Sequence, residues 1–518
     1  MAAITADIQY WSFFLLWLIS TLLIQYIFKK LTKQTTHLRL PPSPPSLPFI
    51  GHIHHLSPSV YRCLHKLSSK YGPLLYLRLG SYPIVVASSA SVATQIFKTH
   101  DLNFAEKPKS NVGDSLLLGI SSFSNAPYGD YWRFMKKLCA TELLGTRQLE
   151  RSRNVRREEL VRFLQKLLEK AHKNEAVDLG DELMTLTNNS TCRMAMSTRC
   201  SGEDNEAKKC RQLVKGALEL VAKLYVANLF GLRKLGFWVY RKQVLDLPER
   251  YDKLLEKLLK EHEEKAKRNG GNTKDKDLMD ILLEVYHDKN AEIKISRGHM
   301  KAFFLDIFLG GTATSSMAMQ YIMAELINNP NVYKKLREEI ELVVGKNRLV
   351  EDSDIPSLHY LQSVVKEGLR LHPPVPIMRR LCRNSCKIGG FDLPEETAVL
   401  VNLYSILRDP EVWDNPDEFC PERFLVSTLE QESGEETKRG QNSGFVPFGG
   451  GRRMCPGSNL AFSLMNTTVA AMVQCFDWKI GTDGDVTKVN MKEKSGMTMQ
   501  MAHPLVCLPV VHSNPFSV

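Results

Sequence analysis

The decapeptide FGGGRRMCPG, Phe448 to Gly457, sets one cysteine in a loop built from four glycines and a proline. Gly451 and Gly457 are expected to let the backbone turn sharply and approach a flat ligand, because glycine reaches left-handed dihedrals without steric cost. Cys455 is thereby presented as a metal ligand. A thiolate on haem iron pushes electron density toward an O–O bond and favours its cleavage, so the cysteine is read as the axial ligand of a haem. Arg453 offers charge to a haem propionate, loop N–H groups tune the sulfur, and Phe448 shields it from water. The competing reading makes Cys455 one more buried small side chain among eleven cysteines. It leaves the spacing of arginine and glycines without a purpose.

The run fits F-x-x-G-x-R-x-C-x-G at every fixed position and resembles the cysteine loop of the cytochrome P450 superfamily. Upstream, VVKEGLRLHPP places Glu367 and Arg370 three apart on a helix ended by Pro373 and Pro374, so they share one face. Alone such a pair is an ordinary surface ion pair. With Arg423 in FCPERF the resemblance implies a buried structural network of Glu367, Arg370 and Arg423 behind the cysteine loop.

FFLDIFLGGTATSSMAMQYIMAEL, Phe303 to Leu326, is a long apolar segment with Gly310 and Gly311 in mid-helix. Asp306 and the Gly-Gly-Thr cluster argue against a membrane span. The segment looks like the helix that crosses the oxygen side of the haem. Thr314 then takes the catalytic position that donates a hydrogen bond toward dioxygen and relays protons. The family usually has an acid just before this threonine, and here stands Ala313. Asp306 lies about 10 Å from Ala313 along the axis, too far to replace that acid directly. Ordered water, Thr312, Ser315 or a substrate hydroxyl is expected to complete the relay.

In WRFMKKL the resemblance assigns Trp132 and Lys136 to the haem propionates, with lysine giving a looser contact than arginine's planar fork. In HPPVPIMRR it assigns Arg379 or Arg380, with Arg379 preferred. Cofactor contacts are thus expected from Trp132, Lys136, Arg379, Phe448, Arg453 and Gly457. By family analogy Leu117, Phe230, Phe304, Ile377, Met378 and Met497 line a substrate pocket. At any one position ordinary core is an equal reading.

From Gln9 to Phe28 run about twenty mainly apolar residues, enough to span a bilayer, followed by Lys29, Lys30 and Lys33. No small-residue cleavage site is evident, so an uncleaved signal anchor is expected. LPPSPPSLPFIGH, Leu40 to His52, reads as a stiff spacer. The expected organisation is a membrane anchor over 1–30, a basic and proline-rich hinge over 31–52, and a haem-thiolate catalytic domain over 53–518. The expected fold is mainly α with a smaller β portion, the cytochrome P450 fold, preceded by one transmembrane helix. Helical periodicity marks Val155 to Asn174, Tyr251 to Asn269 and Asn331 to Val344. Strand signals lie in LLYLRLGSYPIVVAS and around Met497 to Leu508.

The net charge is +11, with 68 Lys and Arg against 57 Asp and Glu. No basic stripe interleaved with aromatics appears, so nucleic acid is not an expected partner. A basic face instead suits an acidic electron donor and anionic lipid headgroups. No dinucleotide fingerprint is present, so electrons must come from elsewhere. The resemblance implies haem b with a cysteine thiolate, NADPH used through a separate NADPH–cytochrome P450 reductase, and an endoplasmic reticulum membrane location with the catalytic domain cytosolic. That compartment argues against disulfides, and against glycosylation at the sequons opened by Asn188, Asn189 and Asn466. The implied activity is monooxygenation of a lipophilic plant metabolite. Most of the chain resembles plant A-type enzymes near the flavone and isoflavone synthases and triterpenoid oxidases. Apolar pocket candidates favour a pentacyclic triterpenoid, with a flavonoid second. A reductase-independent isomerase or dehydratase and a non-catalytic membrane scaffold are the competing classes.

Overall fold

The segment LLYLRLGSYPIVVA carries two apolar runs on either side of a Gly-Ser pair, and folds as two antiparallel strands, β1 (Leu74–Leu79) and β2 (Tyr82–Ala87). This computed structural model describes residues 11–25, 38–80, 82–108, 122–199, 233–268, 276–425, 444–496 and 498–516, with isolated positions between 213 and 224. The helices that position the site are α1 (Asp130–Leu138), α2 (Arg153–His172), α3 (Leu179–Met196), α4 (Arg241–Arg268), α5 (Arg297–Gly311), α6 (Ala313–Asn328), α7 (Pro330–Val343), α8 (His359–Leu371) and α9 (Ser458–Cys475). The three helical segments expected from periodicity coincide with α2, the second half of α4, and α7, whose first residue Pro330 supplies a preset φ where no N–H is needed.

Among the described residues three small sheets flank this helical body. A mixed sheet has the order β1-β2-β7-β4, with β4 (Ile377–Leu381) antiparallel and β2 parallel to β7 (Ala398–Asn402). A second sheet joins β3 (Val177–Asp178) and β8 (Phe476–Ile480) on either side of β9 (Val506–Val511), and a hairpin pairs β5 (Cys386–Ile388) with β6 (Phe391–Leu393). The C-terminal strand therefore starts later than its sequence signal. Met501 makes only an isolated bridge to Glu493 before regular pairing begins at Val506.

The largest core cluster forms where α6, α8 and α9 meet α2, α3 and α7, with Met319, Ile322, Leu361, Val364 and Val469 fully buried. Each such side chain contributes about 1.5–3 kcal/mol relative to exposure. Gly368 sets the approach of α8 to α6, since a Cβ there would lie 2.3 Å from Ile322 Cγ1. The run Arg297–Asn328 is long and apolar enough to cross a membrane, yet 67% of its apolar 18-residue window is buried inside the fold, so it is core. By contrast the apolar helix Trp11–Gln25 exposes Trp11, Phe13, Leu16 and Leu22.

Asn188, Asn189 and Asn466 are buried within α3 and α9, which removes them as glycosylation acceptors whatever the compartment. The expectation of no disulfides fails at Cys192, which is disulfide-bonded.

Candidate active site

The long apolar segment is not one continuous helix. It breaks at Thr312 between α5 and α6, where two consecutive glycines weaken the ladder and the flanking backbone bonds stretch: Thr312 N–H to Phe308 O at 3.3 Å, Ser316 N–H to Thr312 O at 3.4 Å. Thr187 of α3 donates its hydroxyl to the Thr312 carbonyl at 3.0 Å and so holds the break from the side. Thr314 donates its own hydroxyl to Gly310 O at 2.5 Å. The Thr312 hydroxyl is buried and has no partner among the described residues.

Asp306, Gly310 and Thr314 are spaced at four, so they form one stripe. Among the described residues a Cβ built on Gly310 meets nothing within 4 Å, although the helix runs through the core. This stripe thus faces open interior space. Asp306 keeps some surface there while ringed by protein, and desolvation pushes its carboxyl up. Its oxygens accept from Ser122 Oγ at 2.9 and 3.0 Å, Ser124 Oγ at 2.7 Å and Ser124 N–H at 2.9 Å. These bonds commit its carboxylate to docking the 122–124 segment onto α5.

The cysteine loop turns through Gly449 (φ +75°) and Gly451 (φ +67°), where a Cβ would lie 2.5 Å from Met378 and 2.3 Å from Asp101 respectively. Gly457 is different from its expected role. Its φ is −92°, open to any residue; it is the N-cap of α9, and its N–H bonds the Cys455 sulfur. Cys455 N–H donates to Phe448 O at 3.0 Å, and Phe448 packs on Phe462 at 5.1 Å. Burial pushes the Cys455 thiol up; the Gly457 N–H and the Lys136 charge oppose that. Lys136 donates to Met454 O at 2.6 Å, beside the sulfur.

Arg453 stacks over Trp132 at 4.5 Å and spans Ala105 O and Ala126 O, both at 2.6 Å, leaving Nη1 buried and unpartnered. On β4, Arg380 is 2% exposed and donates from Nη1 to Arg379 O at 3.0 Å, with Nη2 buried and unpartnered. Burial lowers both guanidinium groups to about 10. Lys107, which donates to Ser124 O at 2.6 Å, falls to about 7 through burial and then repulsion from Arg380, Arg453 and Arg379. Mutually repelling buried cations with spare donors imply anions that complete them. The site thus offers two guanidinium nitrogens for two carboxylates, a cysteine sulfur for iron, and an open wall at Gly310, a set that fits haem b. Arg380 rather than the expected Arg379 carries the spare donor; Arg379 is partly exposed and has its own partner.

Other pocket expectations divide. Phe304 is fully buried in an aromatic row with Phe303 and Phe308, so it is core and not lining. Ile377 packs with Tyr321, Leu400 and Met499, and Met378 sits half-buried against Gly449. Leu117, Phe230 and Met497 lie outside the described residues. Lys107 and Thr187 have no signal in the sequence. Arg380 has one, its alternation with Met378 along a strand.

The Cytochrome P450 family model matches residues 41–508. The chain is 47% identical over 521 residues to "Cytochrome P450 705A22" of Arabidopsis thaliana, covering 100% of this chain and 99% of the relative. It is 42% identical over 510 residues to "3,9-dihydroxypterocarpan 6A-monooxygenase" of Glycine max, covering 97% and 98%. A zebra fish cytochrome P450 solved with abiraterone superposes with a TM-score of 0.71 at 24% identity, over 88% of this chain and 100% of that one, a likeness of fold. The chain therefore belongs to the cytochrome P450 family: it is a haem-thiolate monooxygenase of plant secondary metabolism, supplied with NADPH electrons through a reductase.

Proposed function

We propose that this enzyme oxidises a pentacyclic triterpenoid at a methyl group, to the alcohol and on to the carboxylic acid. The observation that carries this reading is the wall facing the open interior: Gly310 leaves it open with the partly exposed Ile307 and Leu309 on either side, while the Asp306 carboxylate is engaged by Ser122 and Ser124. A substrate there is held by shape and apolar burial more than by a free charged group. The name of the Glycine max relative favours a second reading, a pterocarpan or other flavonoid-type substrate. The catalytic domain, 53–518, is placed on the cytosolic face of the endoplasmic reticulum behind anchor 1–30 and hinge 31–52, a reading supported by the exposed apolar surface of Trp11–Gln25.

Cys455 would hold the iron, and Arg380 and Arg453 the propionates, with Trp132 stacked beneath Arg453. When bound, haem supplies dioxygen activation and oxidation of the substrate C–H bond. Thr314 holds a proton on Oγ1, parked on the Gly310 carbonyl and one side-chain rotation from the open face. The buried Thr312 hydroxyl lies two residues away, about 200° around the helix and turned from the open face, so ordered water or a substrate hydroxyl replaces the missing acid as next carrier, with Thr187 fixing the break.

The test is product analysis by mass spectrometry of membranes carrying the protein and a reductase, fed triterpenoids, flavonoids and simpler terpenoids. A triterpenoid product gaining oxygen only with NADPH is the expected result; turnover of flavonoids alone replaces the substrate reading. Ala313→Asp is expected to raise product formed per NADPH consumed by about a few-fold, well below the roughly 10²–10⁴-fold that a positioned proton donor adds to a rate, because this yield cannot exceed one. Unchanged coupling would show that the hydroxyls already deliver protons at full rate.

A further inference from the structure

The five residues Cys382 to Cys386 leave strand β4 and enter β5. Arg383, Asn384 and Ser385 are exposed, Cys382 is buried and Cys386 partly so. Both are free thiols, and their sulfurs lie 3.7 Å apart. Asn103 fixes the turn: Nδ2 donates to Cys382 Sγ at 3.5 Å and to Asn384 O at 2.8 Å, while Oδ1 accepts from Asn384 N–H at 2.7 Å. Cys382 N–H to Thr397 O and Glu396 N–H to Cys382 O pin the main chain on the other side. Neither cysteine has a part in the site described above. A buried and an accessible sulfur held side by side under an exposed turn form the arrangement of a resolving and an attacking thiol.

We propose that Cys382 and Cys386 are a redox modification site, a dithiol that a hydroperoxide oxidises to a disulfide closing the turn. The Cys386 thiolate attacks one oxygen of hydrogen peroxide; an S–O bond forms, the O–O bond breaks, and hydroxide leaves to take up a proton as water. The Cys382 sulfur then attacks Cys386 sulfenic acid; the S–S bond forms, the S–O bond breaks, and a second water departs with the Cys382 proton. Two electrons pass from the dithiol to the peroxide. The contact between the sulfurs draws the Cys386 thiol down to about 7 and drives that of Cys382, which also lies 3.0 Å from Asn384 O, up; with their unequal burial this gives each sulfur its part. Bond formation needs the sulfurs to approach by about 1.7 Å. Hydrogen peroxide is also what a monooxygenase releases when reduced dioxygen escapes unused, so the oxidant arises on the same molecule.

The full-length holoprotein in membranes is treated with hydrogen peroxide, its remaining thiols are alkylated, and unreduced tryptic peptides are mapped. Trypsin cuts after Arg383, so a disulfide ties two otherwise separate peptides. The expected result is that linked pair, released by dithiothreitol and formed about tenfold faster than Cys63 is oxidised. In Cys382→Ser, Cys386 is expected to stop at the sulfenic acid and be trapped by dimedone; in Cys386→Ser, Cys382 stays a thiol. Full alkylation of both cysteines after a dose that oxidises Cys63, or oxidation of Cys382 in the Cys386→Ser protein, overturns the proposal. The peroxide is added directly, so neither outcome depends on the substrate.

Discussion

Cys455→Ser is expected to remove the thiolate-type band of the reduced carbon monoxide complex and to lower turnover by more than about 100-fold, the scale that even residues orienting a metal ligand reach. The physical reason is the sulfur's environment. Burial disfavours the bare thiolate, and the Gly457 N–H and the charge of Lys136 oppose that. The anionic form therefore depends on coordination, and a serine oxygen, far less acidic and a harder donor, does not take its place. The fold is expected to survive, because the loop is held by its backbone: Cys455 N–H to Phe448 O, Met454 N–H to Gly451 O, and Arg452 N–H to Asp101 at 2.8 Å. The measurement is the difference spectrum together with the thermal midpoint. A retained red-shifted band in Cys455→Ser would assign the ligand to another residue.

Groups that act together across a few positions of the chain are legible in the sequence, because chemistry fixes their spacing. Cys455 with Arg453, and Glu367 with Arg370, are of this kind. What depends on the phase of an element is harder to read. Arg379 and Arg380 are adjacent, and the pairing of β4 with β7 decides which one turns inward. Phe304 belongs to the core, and the stripe Asp306, Gly310, Thr314 contains the reason: two residues from Asp306 is about 200° around the helix, on the far side. The glycine pair announces a weakened helix, but Thr187, which holds the break, lies 125 residues away. Lys107 has no local signature, since its low proton affinity comes from burial and from arginines brought in by β4 and the cysteine loop.

Glu367→Gln is expected to cost about 3–5 kcal/mol of stability, the scale for stranding a buried charge, against a total of roughly 5–15 kcal/mol. Both side chains of the Glu367–Arg370 pair are 0% exposed, joined at 2.7 and 2.8 Å. Arg370 spends its remaining donors on Leu407 O, Pro416 O and Glu418 O. Glu367 in turn accepts from Arg423 at 3.0 Å and from Cys420 N–H at 2.9 Å. One carboxylate thus ties α8 to the chain from 407 to 423, the stretch leading toward the cysteine loop. Glutamine keeps the shape but removes the charge, leaving two buried guanidinium groups facing each other without an anion between them. Lys253→Ala is the matched control. Its bond to Glu249 is 2.6 Å, as short as any in the buried network, but both partners are largely exposed, so solvent screens it and no measurable change is expected. Thermal midpoints and holoprotein yields of the two variants decide the matter. A Glu367→Gln protein as stable as its parent would mean that Arg370 and Arg423 are satisfied by backbone carbonyls alone, and that the carboxylate does not organise the region behind the cysteine loop.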